Sequence, residues 1–221
     1  MNSESSSPIT LDTIKPKYAA ALTQLQRDCF PTLGDHELMT EKHFLKHCEV
    51  FPEGEFVALL DGKVVGLGSG FFIDFDFEHT DHTFNDMIAG GYYTNHVPNG
   101  EYYYGADISV HPKCRGMGIG RMLYDARKDL VLRTNRRGIV AGGVLPGYPT
   151  FRQAMTIHEY VGAVVAGNLY DPTLSMQLRN GFVVRGMLEN YIDDSNSDNW
   201  ATLIYWENEK YDASLQGAGG E

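Results

Sequence analysis

Cysteine is scarce in this 221-residue chain: Cys29, Cys48 and Cys114 are the only three. Their number is odd, their spacings are wide, and no CxxC pair occurs. That excludes a disulfide framework and a thiolate zinc site, and it reads as the reduced thiols of a cytoplasmic protein. Long apolar runs are missing too; none approaches the ~20 residues of a membrane-spanning helix. The polar, Ser-rich stretch Met1–Pro8 lacks the basic and apolar regions of a signal peptide, so no membrane partner is expected. Positive charge is in deficit, with 18 Lys and Arg against 29 Asp and Glu, a net charge of −11. Nucleic acid and anionic membrane surfaces are excluded as nonspecific partners, while cationic partners such as amines are favoured. What is present is a core: 43% hydrophobic and 12% aromatic residues, in a length that suits one domain.

Periodicity and punctuation outline a mixed α/β domain with helices on a central sheet. Pro8–Ile14 alternates as a first strand, and Pro16 opens a helix with Tyr18, Leu22, Leu25 and Cys29 on one face. Thr40 caps a second, shorter helix. Phe56–Leu60 and Lys63–Leu67 flank Asp61-Gly62, the signature of a type I′ hairpin, and Gly68–Phe77 continues the second strand. A first insertion covers about 78–100. Glu101–Val110 is aromatic and β-branched and reads as a strand. The helix after it carries Ile119, Met122, Leu123, Ala126 and Leu130. It stops at Gly138, with Arg133, Arg136 and Arg137 at its negative end. Ile139–Val144 is a buried-type strand. A second insertion, 145–170, holds a helix capped by Thr156 and Glu159. Asp171-Pro172 opens the last helix, as N-cap and first position. Phe182–Val184 and Ala201–Trp206 close the sheet. Residues 208–221 form a C-terminal tail, and residues 1–8 and Gln216–Glu221 read as disordered.

Between strand and helix lies Val110-His111-Pro112-Lys113-Cys114-Arg115-Gly116-Met117-Gly118-Ile119-Gly120-Arg121. Such a junction presents unpaired backbone N–H groups and the positive end of a helix dipole to an anion, and glycines let a phosphate approach. Neither register matches GxGxxG, and GxxxxGK[ST] is absent. What matches is Arg-x-x-Gly-x-Gly, at Arg115, Gly118 and Gly120. Following Val-His-Pro, this pattern resembles the pyrophosphate loop of the GNAT superfamily of acyl-CoA-dependent N-acetyltransferases. The resemblance covers about residues 9–207, with the two insertions as departures, and Asn180-Gly181-Phe182 is similar to the Gly-Phe that ends the family's last helix. A narrower resemblance links Leu123–Arg127, Val140–Gly143, Pro146–Tyr148 and Leu169–Pro172 to the GNAT domain joined to nitrilase-type hydrolases in some bacterial proteins. The hydrolase half is absent from this sequence.

The resemblance implies a single GNAT-like domain, with a mostly antiparallel mixed sheet flanked by helices, and a homodimer is common in the family. It implies acetyl-CoA as cosubstrate and direct attack by a primary amine in a ternary complex. Ile108, Ser109 and Val110 would pair with the pantetheine arm through their backbone. The amides of Arg115, Gly116, Met117, Gly118, Ile119, Gly120 and Arg121 would hold the pyrophosphate. Asp107, three residues before Val110, is the first candidate for general base; some relatives carry a glutamate where this chain has Tyr104. His111 is a second candidate, though His-Pro suits loop chemistry. The tyrosine that often serves as general acid is replaced by Gln177. Tyr170 is the leading substitute, with Tyr148 and Ser175 behind it, and solvent can also protonate the thiolate. A noncatalytic acyl-CoA-binding regulator, or a module partnering a nitrilase-like hydrolase, is the alternative.

Residues 74–82 gather Asp74, Asp76, Glu78, His79, Asp81 and His82, but their spacing fits no metal loop, and no metal site is expected. His158-Glu159 lacks the second histidine of HExxH. The resemblance implies that this region lies near the acceptor site, where its acids would attract a cationic amine, and a solvated face reads equally well.

Overall fold

The computed structural model describes residues 8–215; the Ser-rich start and the expected disordered tail from Gln216 lie outside them. Seven strands form one sheet in the order β1-β2-β3-β4-β5-β7-β6. They are β1 (Thr10–Thr13), β2 (Phe56–Leu60), β3 (Lys63–Ile73), β4 (Tyr102–Val110), β5 (Gly138–Val144), β6 (Val183–Leu188) and β7 (Ala201–Glu207). Every neighbouring pair is antiparallel except β4 with β5. The helices are α1 (Ala19–Cys29), α2 (Glu41–Val50), α3 (Phe84–Met87), α4 (Ile119–Arg133), α5 (Ile157–Val165) and α6 (Leu174–Arg179). Among the described residues no helix is long and apolar enough to cross a membrane.

Alternation along the strands sorts two cores onto the two faces of the sheet. Phe71 and Tyr104 join Leu22, Leu25 and Phe44 of α1 and α2 on one face. Phe72 and Tyr103 join Tyr124 and Leu130 of α4, Tyr160 of α5 and Leu174 of α6 on the other. Asp61 and Gly62 take φ of 51° and 74°, the left-handed pair a type I′ turn needs, and Leu60 faces Lys63. Thr156 Oγ1 accepts from the Glu159 N–H at 3.3 Å while Glu159 Oε2 accepts from the Thr156 N–H at 2.7 Å, closing the expected capping box.

Several boundaries differ from expectation. β3 stops at Ile73, and the first insertion contains the short α3, whose N-terminal Thr83 accepts from the Asp86 N–H. β6 runs to Leu188, longer than its apolar residues suggest. α4 ends at Arg133, and Asn135 at φ 50° turns the chain; Gly138 instead begins β5. A Cβ at Gly138 would stand 2.2 Å from the Trp206 carbonyl, so close sheet packing is what needs the glycine. The arginines there serve tertiary contacts. Arg136 donates to the Pro98 carbonyl and lies over Phe72, and Arg137 pairs with Glu101 at 2.8 Å. Residues of the tail are partly tied down: Asn135 and Asp212 exchange two hydrogen bonds.

Two irregularities shape the middle of the sheet. β4 and β5 pair only at Tyr102–Tyr104 against Gly138–Val140. Beyond them β4 stays with β3 as far as Val110, and β5 stays with β7 as far as Val144, so the two parallel strands part into a fork. The second is a β-bulge: Ser69 faces Asp107 while Gly70 faces Gly105, leaving Ala106 as the extra residue. A bulge shifts alternation by one. It turns Asp107 toward α1.

Candidate functional site

The glycine loop lies at the mouth of the fork, between the end of β4 and the start of α4. Gly116 and Gly118 both sit at φ 81°, where an L side chain is strained, and a Cβ on either would meet nothing within 4 Å. Their role is therefore conformational, with open space above the backbone. Gly120 differs: a Cβ there would lie 3.3 Å from Met176 Sδ, so it lets α6 pack against the first turn of α4. The first amide of that turn with a helical partner is Met122, donating to the Gly118 carbonyl at 3.1 Å. The amides before it form the unpaired N-terminal set of a helix. Ile119 is buried and Met117 is exposed, so both serve such a site through the backbone. Arg115 Nε donates to the Val110 carbonyl at 3.3 Å, bracing the loop, while Arg121 is 82% exposed beside Asp125 at 3.9 Å, a surface pair that an anion can compete for.

Asp107 stands at the inner edge of the fork and is 7% exposed. Its Oδ2 accepts from Gln26 Nε2 at 2.6 Å and from Ser109 Oγ at 3.3 Å. Burial pushes its carboxyl up to about 6, against the opposing pull of the Gln26 bond and the Arg127 charge. Cys29, at the end of α1, feels the same surroundings: burial first, then the Asp107 charge, push its thiol up to about 12. That removes Cys29 as a nucleophile near neutral pH. Ser109 spends its hydroxyl on Asp107, leaving its backbone for the fork. Ile108 and Val110 pack toward α4.

Arg127 fixes the bulge from the opposite face. Its Nη2 donates to the Ser69 carbonyl at 2.6 Å and to the Asp107 carbonyl, and its guanidinium lies against Gly68 and Gly105, whose lack of side chains admits it. Ser69 is held in turn by Tyr93, whose hydroxyl is 2.8 Å from Ser69 Oγ. Tyr93 stacks on His47, which faces Glu55 at 2.9 Å and the Gly91 carbonyl at 2.7 Å. This buried polar chain supports β3 under Asp107.

At the base of the fork Tyr191 lies across Gly142; a Cβ on Gly142 would stand 2.2 Å from its ring. Tyr191 and Tyr104 hydroxyls are 2.7 Å apart, and His82 Nε2 is 3.3 Å from Tyr104 Oη. His82 Nδ1 is 2.6 Å from the Thr80 carbonyl, which fixes the ring proton on Nδ1 and leaves Nε2 to accept. Burial lowers the His82 pKa. His79, by contrast, pairs with Asp76 at the surface. Among the described residues no group of three or more potential metal ligands gathers.

The other expected candidates fall elsewhere. His111 Nδ1 accepts from the Lys113 N–H at 3.2 Å, so it caps its own loop. Tyr148 donates to the Met155 carbonyl, and Ser175 Oγ accepts from the Asp171 N–H. Tyr170 is 58% exposed, with the Arg179 guanidinium over its ring. Asp171 is fully buried and accepts from the N–H groups of Thr173, Leu174 and Gly147 and from the Tyr160 hydroxyl. Gln26, Ser69 and Arg127 were not singled out from sequence. Two of them left a signal: Gln26 follows Leu22 by four on the apolar stripe of α1, and Arg127 follows Leu123 by four on that of α4.

The open loop amides, the diverging strands and the buried carboxyl fit a ligand with a phosphorylated end and an extended arm. The family model for the acetyltransferase (GNAT) family matches residues 19–141. The uncharacterized N-acetyltransferase YkwB of Bacillus subtilis is 33% identical over 191 residues, covering 86% of this chain and 84% of that protein. The probable hydrolase YhcX of the same organism is 42% identical over 204 residues, 92% of this chain but only 39% of that protein, so the chain spans about two fifths of this relative. Among solved structures, the GphF GNAT-like decarboxylase in complex with isobutyryl-CoA superposes with a TM-score of 0.75 at 21% identity, over 90% of this chain and 98% of that one. By family model, relative and fold alike, this chain belongs to the GNAT family of acetyltransferases.

Proposed function

We propose that the protein transfers the acetyl group of acetyl-CoA to a primary amine by direct attack within a ternary complex. The observation that carries this reading is the fork between β4 and β5, with the open amides of residues 116–121 at its mouth and Asp107 at its edge. Acetyl-CoA supplies the thioester. The loop amides and Arg121 hold its pyrophosphate, and the backbone of Ile108, Ser109 and Val110 lines the arm. A backbone N–H near Ile108 stabilises charge on the thioester oxygen. Asp107 Oδ2 accepts the proton that the acceptor ammonium must lose before it attacks. Tyr170, open to solvent beside Arg179, stands as the acid for the leaving thiolate, in competition with water itself.

Isothermal titration with acetyl-CoA, CoA and ATP, on wild type and Gly118→Glu, tests the loop. Binding of both CoA forms, abolished in the variant, is expected. An amine screen followed by thiol release then tests turnover. A folded protein that binds no CoA sinks the reading. The likeness to part of a hydrolase supports a second reading, an acyl-CoA-binding module that regulates a hydrolase partner. Tight CoA binding without release of thiol to any amine favours it.

A further inference from the structure

Gln177, on α6, is 3% exposed, yet its Oε1 is buried with no hydrogen-bond partner. A buried carbonyl oxygen left unbonded is costly, so it marks a place where a donor is missing. The carboxamide lies directly on Gly143: a Cβ there would stand 2.7 Å from Oε1 and 2.9 Å from Nε2. Gly143 belongs to the part of β5 that has already parted from β4. The glutamine therefore borders the fork on its α4 and α6 side, the side of the glycine loop. Its other neighbour is Tyr124 of α4, whose hydroxyl pKa burial raises to about 12.

We propose that Gln177 Oε1 accepts an amide N–H of the pantetheine arm when the arm lies in the fork. The assignment rests on the acyl-CoA reading above and adds a specific atom to it. Pantetheine carries two secondary amides, whose N–H groups match a carboxamide oxygen; its thiol is a weak donor and does not. Gln177 is thus a binding residue for the carrier, in a position where it cannot act as an acid.

Calorimetry and thermal unfolding of wild type, Gln177→Met and Gln177→Leu test this. The titrants are CoA and 3′-phosphoadenosine 5′-phosphate, which has CoA's nucleotide end without the arm. CoA is expected to bind the variants about fivefold to tenfold more weakly, the size of one net hydrogen bond. The nucleotide is expected to bind all three proteins alike. The free variants are expected to melt above wild type, because each removes an unsatisfied acceptor. Unchanged CoA affinity, equal weakening of both titrants, or lower melting of both free variants overturns the assignment while leaving the acyl-CoA reading intact. Wild-type protein that binds neither titrant overturns both.

Discussion

At the scale of single residues, Asp107 is caught between dryness and charge. Its carboxyl is pushed up to about 6 by burial, above the ordinary carboxylate range, so ionising it costs the fold. Its contribution to stability is therefore fully present below about pH 4 and is lost as pH rises through about 6. On its proposed role as general base, activity should move the opposite way, rising through the same window as Asp107 deprotonates. Asp107→Asn should lower kcat by roughly 10²–10⁴, leave CoA affinity unchanged, and raise stability at pH 8 by up to about 3 kcal/mol. Urea unfolding at pH 4 and pH 8 checks the sign: equal stability changes at both would show that Asp107 is not strained by ionisation. Arg127→Met should cost roughly 2–5 kcal/mol, because it strands the buried carbonyls of Ser69 and Asp107. The same method reads this, and a loss under 1 kcal/mol would mean that water replaces the guanidinium. Asp107 entered as a candidate only through the family resemblance, three residues before Val110, and Gln26 and Arg127 were not singled out although both fall on the apolar stripes of their helices. The Tyr104–Tyr191 pair was not legible, because its members stand 87 residues apart and only the fold brings them together.

Elements were legible where local chemistry fixes them. Asp61-Gly62 demanded its turn, Thr156 and Glu159 their capping box, and the glycine loop its strand-to-helix junction. The last helix shows the limit. Asp171 was expected as its N-cap with Pro172 at the first position; α6 instead begins at Leu174 with Thr173 at its N-cap, and the Asp171 carboxylate accepts from the N–H groups of Thr173 and Leu174. It also holds Gly147 and Tyr160, and so ties the second insertion to the start of α6. That second duty depends on a contact 24 residues away, which no window on the sequence contains. Asp171→Ala should therefore cost more than the ~1 kcal/mol of an ordinary cap, about 3 kcal/mol as the Tyr160 and Gly147 donors lose their acceptor. Chemical unfolding decides this; a loss near 1 kcal/mol would reduce Asp171 to a simple cap. Gly138 failed as a helix stop for a related reason: its need for a small side chain comes from Trp206, across the sheet.

At the scale of the whole molecule, a net charge of −11 biases encounter with the acceptor. If the acceptor is cationic, KM for it should rise with ionic strength, while KM for a neutral-bodied amine of similar size should change little. Steady-state rates between 50 and 500 mM salt test this, and parallel curves would remove acidity from the account of specificity. The division of the sheet has a consequence of its own. Its left and right wings share a seam of only three backbone pairs, Tyr102–Tyr104 against Gly138–Val140. On the acyl-CoA reading, a carrier lying in the fork would extend that seam as an eighth strand and a staple. Amide hydrogen exchange along Ile108–Val110 and Gly142–Val144 should slow together when the carrier arrives, and the wings should then breathe as one body.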